Sequence, residues 1–127
     1  MNLDNCNTRN RKGGIFLINK TQIMKGILEG CVLAVLSREK LYSREIPKKL
    51  LEYKMSDVSD GTLFPLLLRL ESDGLIESEK VPVSNGPARK YYKTTEKGFE
   101  ELSKFREMWN LLDFSVNEIL NGGEENG

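Results

Sequence analysis

Small and hydroxylated side chains open the segment SDGTLFPLLLRLESDGLI, residues 59–76, and an apolar pattern follows them. Leucines at helical spacing predict a helix that runs to about Ser72 with one buried face. Ser59 is the predicted N-cap, and short residues such as Gly61 and Thr62 leave the first turn open to close approach. Free N–H groups at a helix N-terminus attract phosphate. The segment alone fits a phosphate-binding helix start and an ordinary capped helix with Phe64 in its core equally well.

Pro65 lies about two turns into this predicted helix. Proline has no backbone N–H, so the carbonyl of Gly61 loses its usual helical partner. We expect that carbonyl to be reached by water or by a ligand, because a buried carbonyl without a partner is costly.

The composition argues against catalysis. The chain has no histidine, which removes the commonest general base and metal ligand. Its two cysteines are Cys6, in a polar stretch, and Cys31, in an apolar helical run. They are a poor disulfide pair and a worse metal site. We therefore predict that the protein is not an enzyme and has neither a cofactor nor a metal.

Length and charge indicate one domain with two different ends. The chain has 127 residues and zero net charge. Residues 1–25 carry five bases and one acid, whereas residues 96–127 carry three bases and eight acids. This asymmetry would fit a protein whose basic N-terminal region faces a polyanion while its acidic C-terminal region points away. No apolar run is long enough for a membrane span and no signal segment is evident, so we expect a cytoplasmic protein with no membrane partner.

The order of predicted elements is three helices, a two-stranded ribbon and a long helix. Thr21 and Ser43 are the predicted N-caps of the first two helices, and Thr95 caps the last. SNGP, residues 84–87, predicts the turn between two strands. The predicted class is mainly α with a small β wing, that is, a winged helix-turn-helix. We divide the chain into a flexible basic lead (1–20), a DNA-binding domain (21–95), a dimerisation helix (96–121) and a disordered tail (122–127).

A basic hairpin beside the small-residue helix start favours nucleic acid as the partner. Arg89 and Lys90 follow the turn, where a wing contacts the DNA backbone or the minor groove. Tyr91 and Tyr92 alternate, so one should face inward and the other outward. The predicted DNA-binding residues are Ser43, Arg44, Lys48, Lys49, Ser59, Gly61, Thr62, Phe64, Arg89, Lys90 and Tyr91.

Two motifs, DGTLFPLLLRLESDGLIESE and NGPARKYYKTTEKG, resemble the PadR family of bacterial transcriptional regulators. The resemblance covers roughly residues 22–120. It implies a winged-helix homodimer that binds palindromic promoter DNA, usually as a repressor, and some members release DNA on binding small phenolics or drugs. By position, Thr62 and Phe64 match the start of the recognition helix, and Arg89 and Lys90 match the wing. The chain departs from the family in having Phe64 where tyrosine is usual.

Apolar residues recur every three or four positions along the last helix, which predicts a dimer seam. The predicted interface residues are Ile23, Ile27, Leu102, Phe105, Trp109, Leu112, Val116 and Ile119. Trp109 has two interpretations: it is part of the dimer core, or it is a flat platform for a small aromatic effector. In the resemblance it matches a tryptophan that lines a pocket at the dimer interface of a multidrug-sensing branch. The alternative function is a winged-helix dimer that engages another protein without binding DNA.

Overall fold

The computed structural model describes residues 20–56 and 58–126, so most of the predicted basic lead lies outside the described residues. Four helices surround a small antiparallel sheet. The elements in chain order are α1 (Lys20–Arg38), β1 (Leu41–Tyr42), α2 (Glu45–Glu52), α3 (Asp60–Ser72), β2 (Ile76–Val81), β3 (Arg89–Thr94) and α4 (Glu96–Asn126).

Helix α3 has both of its predicted ends. The Ser59 hydroxyl accepts a hydrogen bond from the backbone N–H of Thr62 at 3.3 Å, as an N-cap does. Pro65 stays within the helix and is exposed, so water reaches the turn that lacks one hydrogen bond. Gly74 follows the helix with φ of +79°, a left-handed conformation that glycine adopts without a steric penalty. The helix therefore begins and ends where local chemistry favours it.

The sheet has the strand order β1-β3-β2. The hairpin of β2 and β3 was predicted, and its register pairs Ile76 with Thr94 and Val81 with Arg89. Strand β1 was missed, because a strand of two residues is too short to show an alternating pattern. It pairs with the other edge of β3, between Leu41 and Tyr92.

Two predicted helix caps were wrong. Helix α1 begins at Lys20, so Thr21 is inside it. The N-cap of α2 is Arg44, which makes no side-chain cap hydrogen bond, and not Ser43. Pairing of β1 continues through Tyr42 and delays the helix start by one residue. The Glu45 carboxylate instead accepts a hydrogen bond from the backbone N–H of Tyr42 at 2.9 Å.

The core lies between the first three helices and the inner face of the sheet. Thr94 is buried there and its hydroxyl donates to the carbonyl of Leu33 at 2.9 Å. The largest fully buried side chains are Val32, Leu36, Ile46, Leu63, Leu67, Leu70 and Ile76. Since α3 supplies three of these, its position relative to the sheet is fixed by apolar packing.

The first turns of α4 pack against α1. The Phe105 ring lies directly on Gly30, where an added Cβ would be 2.5 Å from the ring. Leu102 is buried in the core of its own chain, which corrects its assignment to the dimer interface. A small domain can cover one end of a long helix, and Leu102 falls within that end. The helix continues to Asn126, past the predicted end at residue 121, because glycine weakens a helix without removing a backbone donor as proline does.

From residue 108 onward, α4 carries a row of exposed apolar side chains. Met108, Trp109, Leu112, Val116, Ile119 and Leu120 share one face of the helix, and the exposed Leu111 and Phe114 lie outside it. Ile23 of α1 is also exposed and Ile27 is half-buried.

Within residues 20–56 and 58–126, no helix is both long enough and apolar enough to cross a membrane.

Candidate nucleic-acid interface

The first turn of α3 is an open and sterically accessible surface. Ser59, Gly61 and Thr62 are exposed, and the Ser59 hydroxyl lies 3.3 Å from the Thr62 hydroxyl. A Cβ added at Gly61 would meet no atom nearer than the Ser59 hydroxyl oxygen, at 3.7 Å. The fold therefore does not require glycine at this position. What the glycine provides is close access to the N-terminal backbone of the helix.

The outward face of α3 is apolar. Phe64 is exposed, so the interpretation that places it in the core is wrong. Leu68 is exposed further, to 61%, one helical turn beyond Phe64. The sequence interpretation missed Leu68, although its position is recoverable: a 100° rotation per residue puts it opposite the buried leucines.

The cations of α2 differ in their surroundings. Lys49 donates to Glu39 at 3.0 Å and lies 3.5 Å from Glu52. The hydrogen bond to Glu39 raises the pKa of Lys49, and the charges of Glu39 and Glu52 act in the same direction. Arg44 and Lys48 are exposed and form no ion pair within the described part of the chain. Of the three predicted bases of α2, these two retain an unbalanced positive charge.

We call the β2–β3 ribbon the wing. Its outer face carries Arg89 and Tyr91. The Arg89 guanidinium lies over the Tyr42 ring, 4.8 Å from its centre, and the Tyr42 and Tyr91 rings are 5.9 Å apart. Stacking on an aromatic ring limits the motion of the guanidinium while its N–H groups stay available as donors. The exposed Arg89 is thus held ready to donate to an anion.

The inner face of the wing is tied to the end of α3. The Glu71 carboxylate accepts from the Ser78 hydroxyl at 2.7 Å and from the Lys90 ammonium at 3.3 Å. The hydrogen bond from Ser78 is the main cause that lowers the pKa of Glu71. The Lys90 ammonium also lies 5.4 Å from the centre of the Tyr92 ring. One carboxylate of α3 therefore joins both strands of the wing, and Lys90 is part of that joint.

Lys80 is a further wing cation that the sequence interpretation did not single out. It pairs in register with Lys90, is exposed, and has no ion pair among the described residues. Two nearby lysines differ, because Lys93 of β3 lies 3.4 Å from Glu77 and Lys40, just before β1, lies 3.0 Å from Glu79. The sequence does not reveal which lysines lie beside a glutamate across the sheet, so it could not distinguish Lys80 from the lysines whose charge is balanced.

The predicted binding residues thus fall into two groups. Exposed groups available to a ligand lie at the start of α3, on α2 and on the outer wing: Arg44, Lys48, Ser59, Gly61, Thr62, Phe64 and Arg89. Lys49 and Lys90 are engaged by carboxylates of the same chain, and Ser43 and Tyr91 are half-buried. In the described ranges, no cluster of side chains has the composition of a metal site.

Three helices followed by an antiparallel ribbon, with an exposed third-helix start, define a winged helix-turn-helix protein. The model of the PadR-like family of transcriptional regulators matches residues 32–104, which is more than half of the chain. The chain belongs to this family of DNA-binding regulators. Members of this family are DNA-binding regulators rather than enzymes, so the chain is a regulator and not an enzyme.

Solved structures of the family resemble this chain over more than three quarters of its length. A PadR-like regulator from Bacillus cereus is 42% identical, with a TM-score of 0.71 over 78% of this chain and 96% of that chain. A PadR family regulator from Eggerthella lenta is 33% identical, with a TM-score of 0.72 over 79% of this chain and 87% of that chain. A transcriptional regulator of Mycobacterium tuberculosis is 43% identical over 65 residues, which span 51% of this chain and 57% of that protein.

Proposed function

We propose that this regulator is a repressor that binds palindromic promoter DNA as a homodimer. The observation that carries the proposal is a set of unbalanced cations on the elements before and after α3. Arg44 and Lys48 precede the exposed start of α3, and Lys80 and Arg89 follow it on the wing. Phosphate contacts from these four side chains would supply much of the affinity, while the first turns of α3 meet the bases. Lys49 and Lys90 would act mainly by holding α2 and the wing in position.

The exposed apolar row of α4 supports the homodimer. A row of exposed apolar side chains of this length on one helix face is typical of an interface and costly to leave in water. A second copy of α4 would cover it, with Ile23 and Ile27 of α1 at its margin. A two-fold dimer would present two α3 helices about 34 Å apart, one turn of DNA, and would match a palindrome. A repressor of this kind acts by occupying the promoter.

A small aromatic effector forms part of the same proposal. Trp109 is 43% exposed and lies on the apolar row between Met108 and Leu112. An indole ring offers a flat face on which an aromatic ligand can stack. Binding of such a ligand between two copies of α4 would change the distance between the two α3 helices and weaken the complex with DNA.

The salt dependence of DNA binding tests the proposed phosphate contacts. Lys48→Ala and Arg89→Ala should each lower the slope of log K against log salt by about 0.9, the value for a single neutralised phosphate. Both should weaken binding to operator and scrambled duplexes alike, measured by fluorescence anisotropy between about 50 and 200 mM salt.

Lys49→Ala is the matched control, because its charge is already balanced by Glu39 and Glu52. It should leave the slope nearly unchanged. Equal slopes for wild type, Lys48→Ala and Arg89→Ala would show that the DNA lies elsewhere. Equal, weak binding of wild type to operator and scrambled DNA would favour the alternative, a protein-interaction module.

Gly61→Ala separates the role of this glycine in binding from its role in folding. The free energy of unfolding should stay the same or rise by up to about 1 kcal/mol, because alanine is the better helix former and has room here. Affinity for the operator should fall by about 1–3 kcal/mol, the size of one mismatched base pair, because a methyl group would hold the DNA away from the helix start.

Gly122→Ala is the control for Gly61→Ala, since a Cβ there also meets nothing within 4 Å and the site lies near the end of α4. It should bind the operator as wild type does. If Gly61→Ala bound just as tightly, the start of α3 would not be in close contact with DNA.

A further inference from the structure

We infer that this regulator reads its operator through thymine methyl groups, which Leu68 and Phe64 contact in the major groove. The inference rests on the proposed DNA-binding function and specifies the chemistry by which bases are recognised. It follows from the side chains that the outward face of α3 offers and from those that it lacks.

Hydrogen-bonding side chains are scarce on the outward face of α3. In its first two turns that face comprises Gly61, Phe64, Pro65 and Leu68, all exposed and none with a side-chain donor or acceptor, and the exposed hydroxyl of Ser72 follows only at the C-terminal end of the helix. Helix α3 contains no lysine, asparagine or glutamine, and its single arginine is Arg69. The Arg69 Nε donates to the Glu29 carboxylate of α1 at 3.1 Å, so this guanidinium is turned toward its own domain.

The chemical groups on the base edges of the major groove determine which bases such a helix face can recognise. Guanine is read by arginine or lysine and adenine by asparagine or glutamine, whereas the thymine methyl is read by apolar contact. The outward face of α3 has no lysine, asparagine or glutamine, and the one arginine of the helix is engaged by Glu29. The Thr62 hydroxyl near the helix start can serve as a donor or acceptor but does not select one base. Discrimination therefore falls to Phe64 and Leu68, and their matching feature is the methyl group.

Charge identifies DNA, and not a protein surface, as the occupant of this apolar face. Unbalanced Arg44 and Lys48 on α2, and Lys80 and Arg89 on the wing, belong to the elements before and after α3. A row of phosphates complements such cations on both sides of a groove-reading helix. The apolar strip then faces base edges while the cations face the backbone.

The test starts from an operator selected by the wild-type protein from a random duplex library. Each thymine of the selected half-site is then replaced by deoxyuridine, which removes only the 5-methyl group. Affinity should fall about fourfold for each contacted methyl, the effect of one buried methylene-sized group. Replacing adenines by 7-deazaadenine, which removes the N7 acceptor, should change affinity less than about twofold, since α3 has no asparagine or glutamine to read adenine through that atom.

Protein variants connect the effect to a named side chain. In Leu68→Ala, deoxyuridine and thymine operators should bind almost equally, because the group that contacted the methyl is gone. Leu68 is 61% exposed, so the variant should fold as wild type does. Leu51→Ala is the control: it removes a leucine of similar exposure, 57%, from α2 and should keep the roughly fourfold deoxyuridine effect.

The outcomes separate this inference from the proposed function. A selective operator that tolerates deoxyuridine but is weakened by 7-deazaadenine would leave the regulator in place and overturn methyl reading. The same deoxyuridine penalty in Leu68→Ala and wild type would overturn the role of Leu68. If the library yields no selective duplex, both the proposed function and this inference fail, and the apolar strip is a protein-docking face.

Discussion

Replacing Gly98 with alanine is expected to lower the free energy of unfolding by about 3 kcal/mol, at the upper end of the usual range for overpacking. A Cβ at this position would overlap the carbonyl oxygen of Leu75 and lie 2.6 Å from the Thr94 methyl carbon. The Leu75 carbonyl cannot simply move away, because it accepts the backbone N–H of Thr95 at 3.0 Å. The clash is with backbone and a buried side chain, which relax less than a flexible surface side chain does.

Urea unfolding followed by circular dichroism measures this change, and Gly61→Ala is the matched control. Both glycines lie within the first three residues of a helix, but only Gly98 is closely packed. An unchanged midpoint for Gly98→Ala would mean that α4 can shift away from Leu75 at little cost, and that the joint between the wing and α4 is loose.

Gly98 belongs to this joint between the wing and the long helix. Its N–H donates to the Thr95 hydroxyl at 3.0 Å, and that hydroxyl donates to the carbonyl of Gly74 at 2.6 Å. Gly74 in turn ends α3. The direction of α4 is therefore set relative to α3 by short hydrogen bonds and close packing, so a change in the position of α4 would be passed to α3.

Elements with strong local signals could be predicted from the sequence. The leucine pattern, the Ser59 cap and the Gly74 stop together specify α3 to within a residue. The Asn-Gly turn and the alternation of Tyr91 and Tyr92 specify the wing. Strand β1 could not be predicted, because its two residues pair with β3 only after the chain has folded.

The site was predicted less completely, because charge balance depends on partners that are distant in sequence. Lys90 and Lys48 look equivalent as lysines, yet Glu71 engages Lys90 from another element. Leu102 and Leu112 share one helical pattern, yet only Leu102 reaches the core of its own chain. A periodic pattern identifies an apolar face but does not indicate which part of it the same chain covers.

The proposed dimer leads to the prediction with the largest expected effect on binding. Leu112→Glu should convert the protein to a monomer and lower its affinity for a palindromic operator by at least about 100-fold, since the two half-sites are no longer bound by one linked molecule. Leu112 is 54% exposed in the single chain, so a carboxylate is tolerated by the fold of the monomer. In a dimer seam the same carboxylate would be buried without a partner, which costs several kcal/mol.

Asn110→Glu provides the matched control. It adds the same charge to an exposed position of α4, two residues away and on the opposite side of the helix. Sedimentation equilibrium should report a dimer for wild type and Asn110→Glu and a monomer for Leu112→Glu, while unfolding of the monomer domain stays unchanged. In fluorescence anisotropy, wild type and Asn110→Glu should bind the operator tightly and Leu112→Glu should bind it weakly.

The two measurements together locate the interface and its purpose. If Leu112→Glu stayed dimeric, the exposed row of α4 would not be the seam, and the partner of Trp109 would have to be sought elsewhere. If it became monomeric but bound the operator with wild-type affinity, one α3 and one wing would suffice for binding. A palindromic operator would then not be needed. Monomerisation with loss of operator binding would mean that α4 contributes to recognition by setting the distance between the two α3 helices of the dimer.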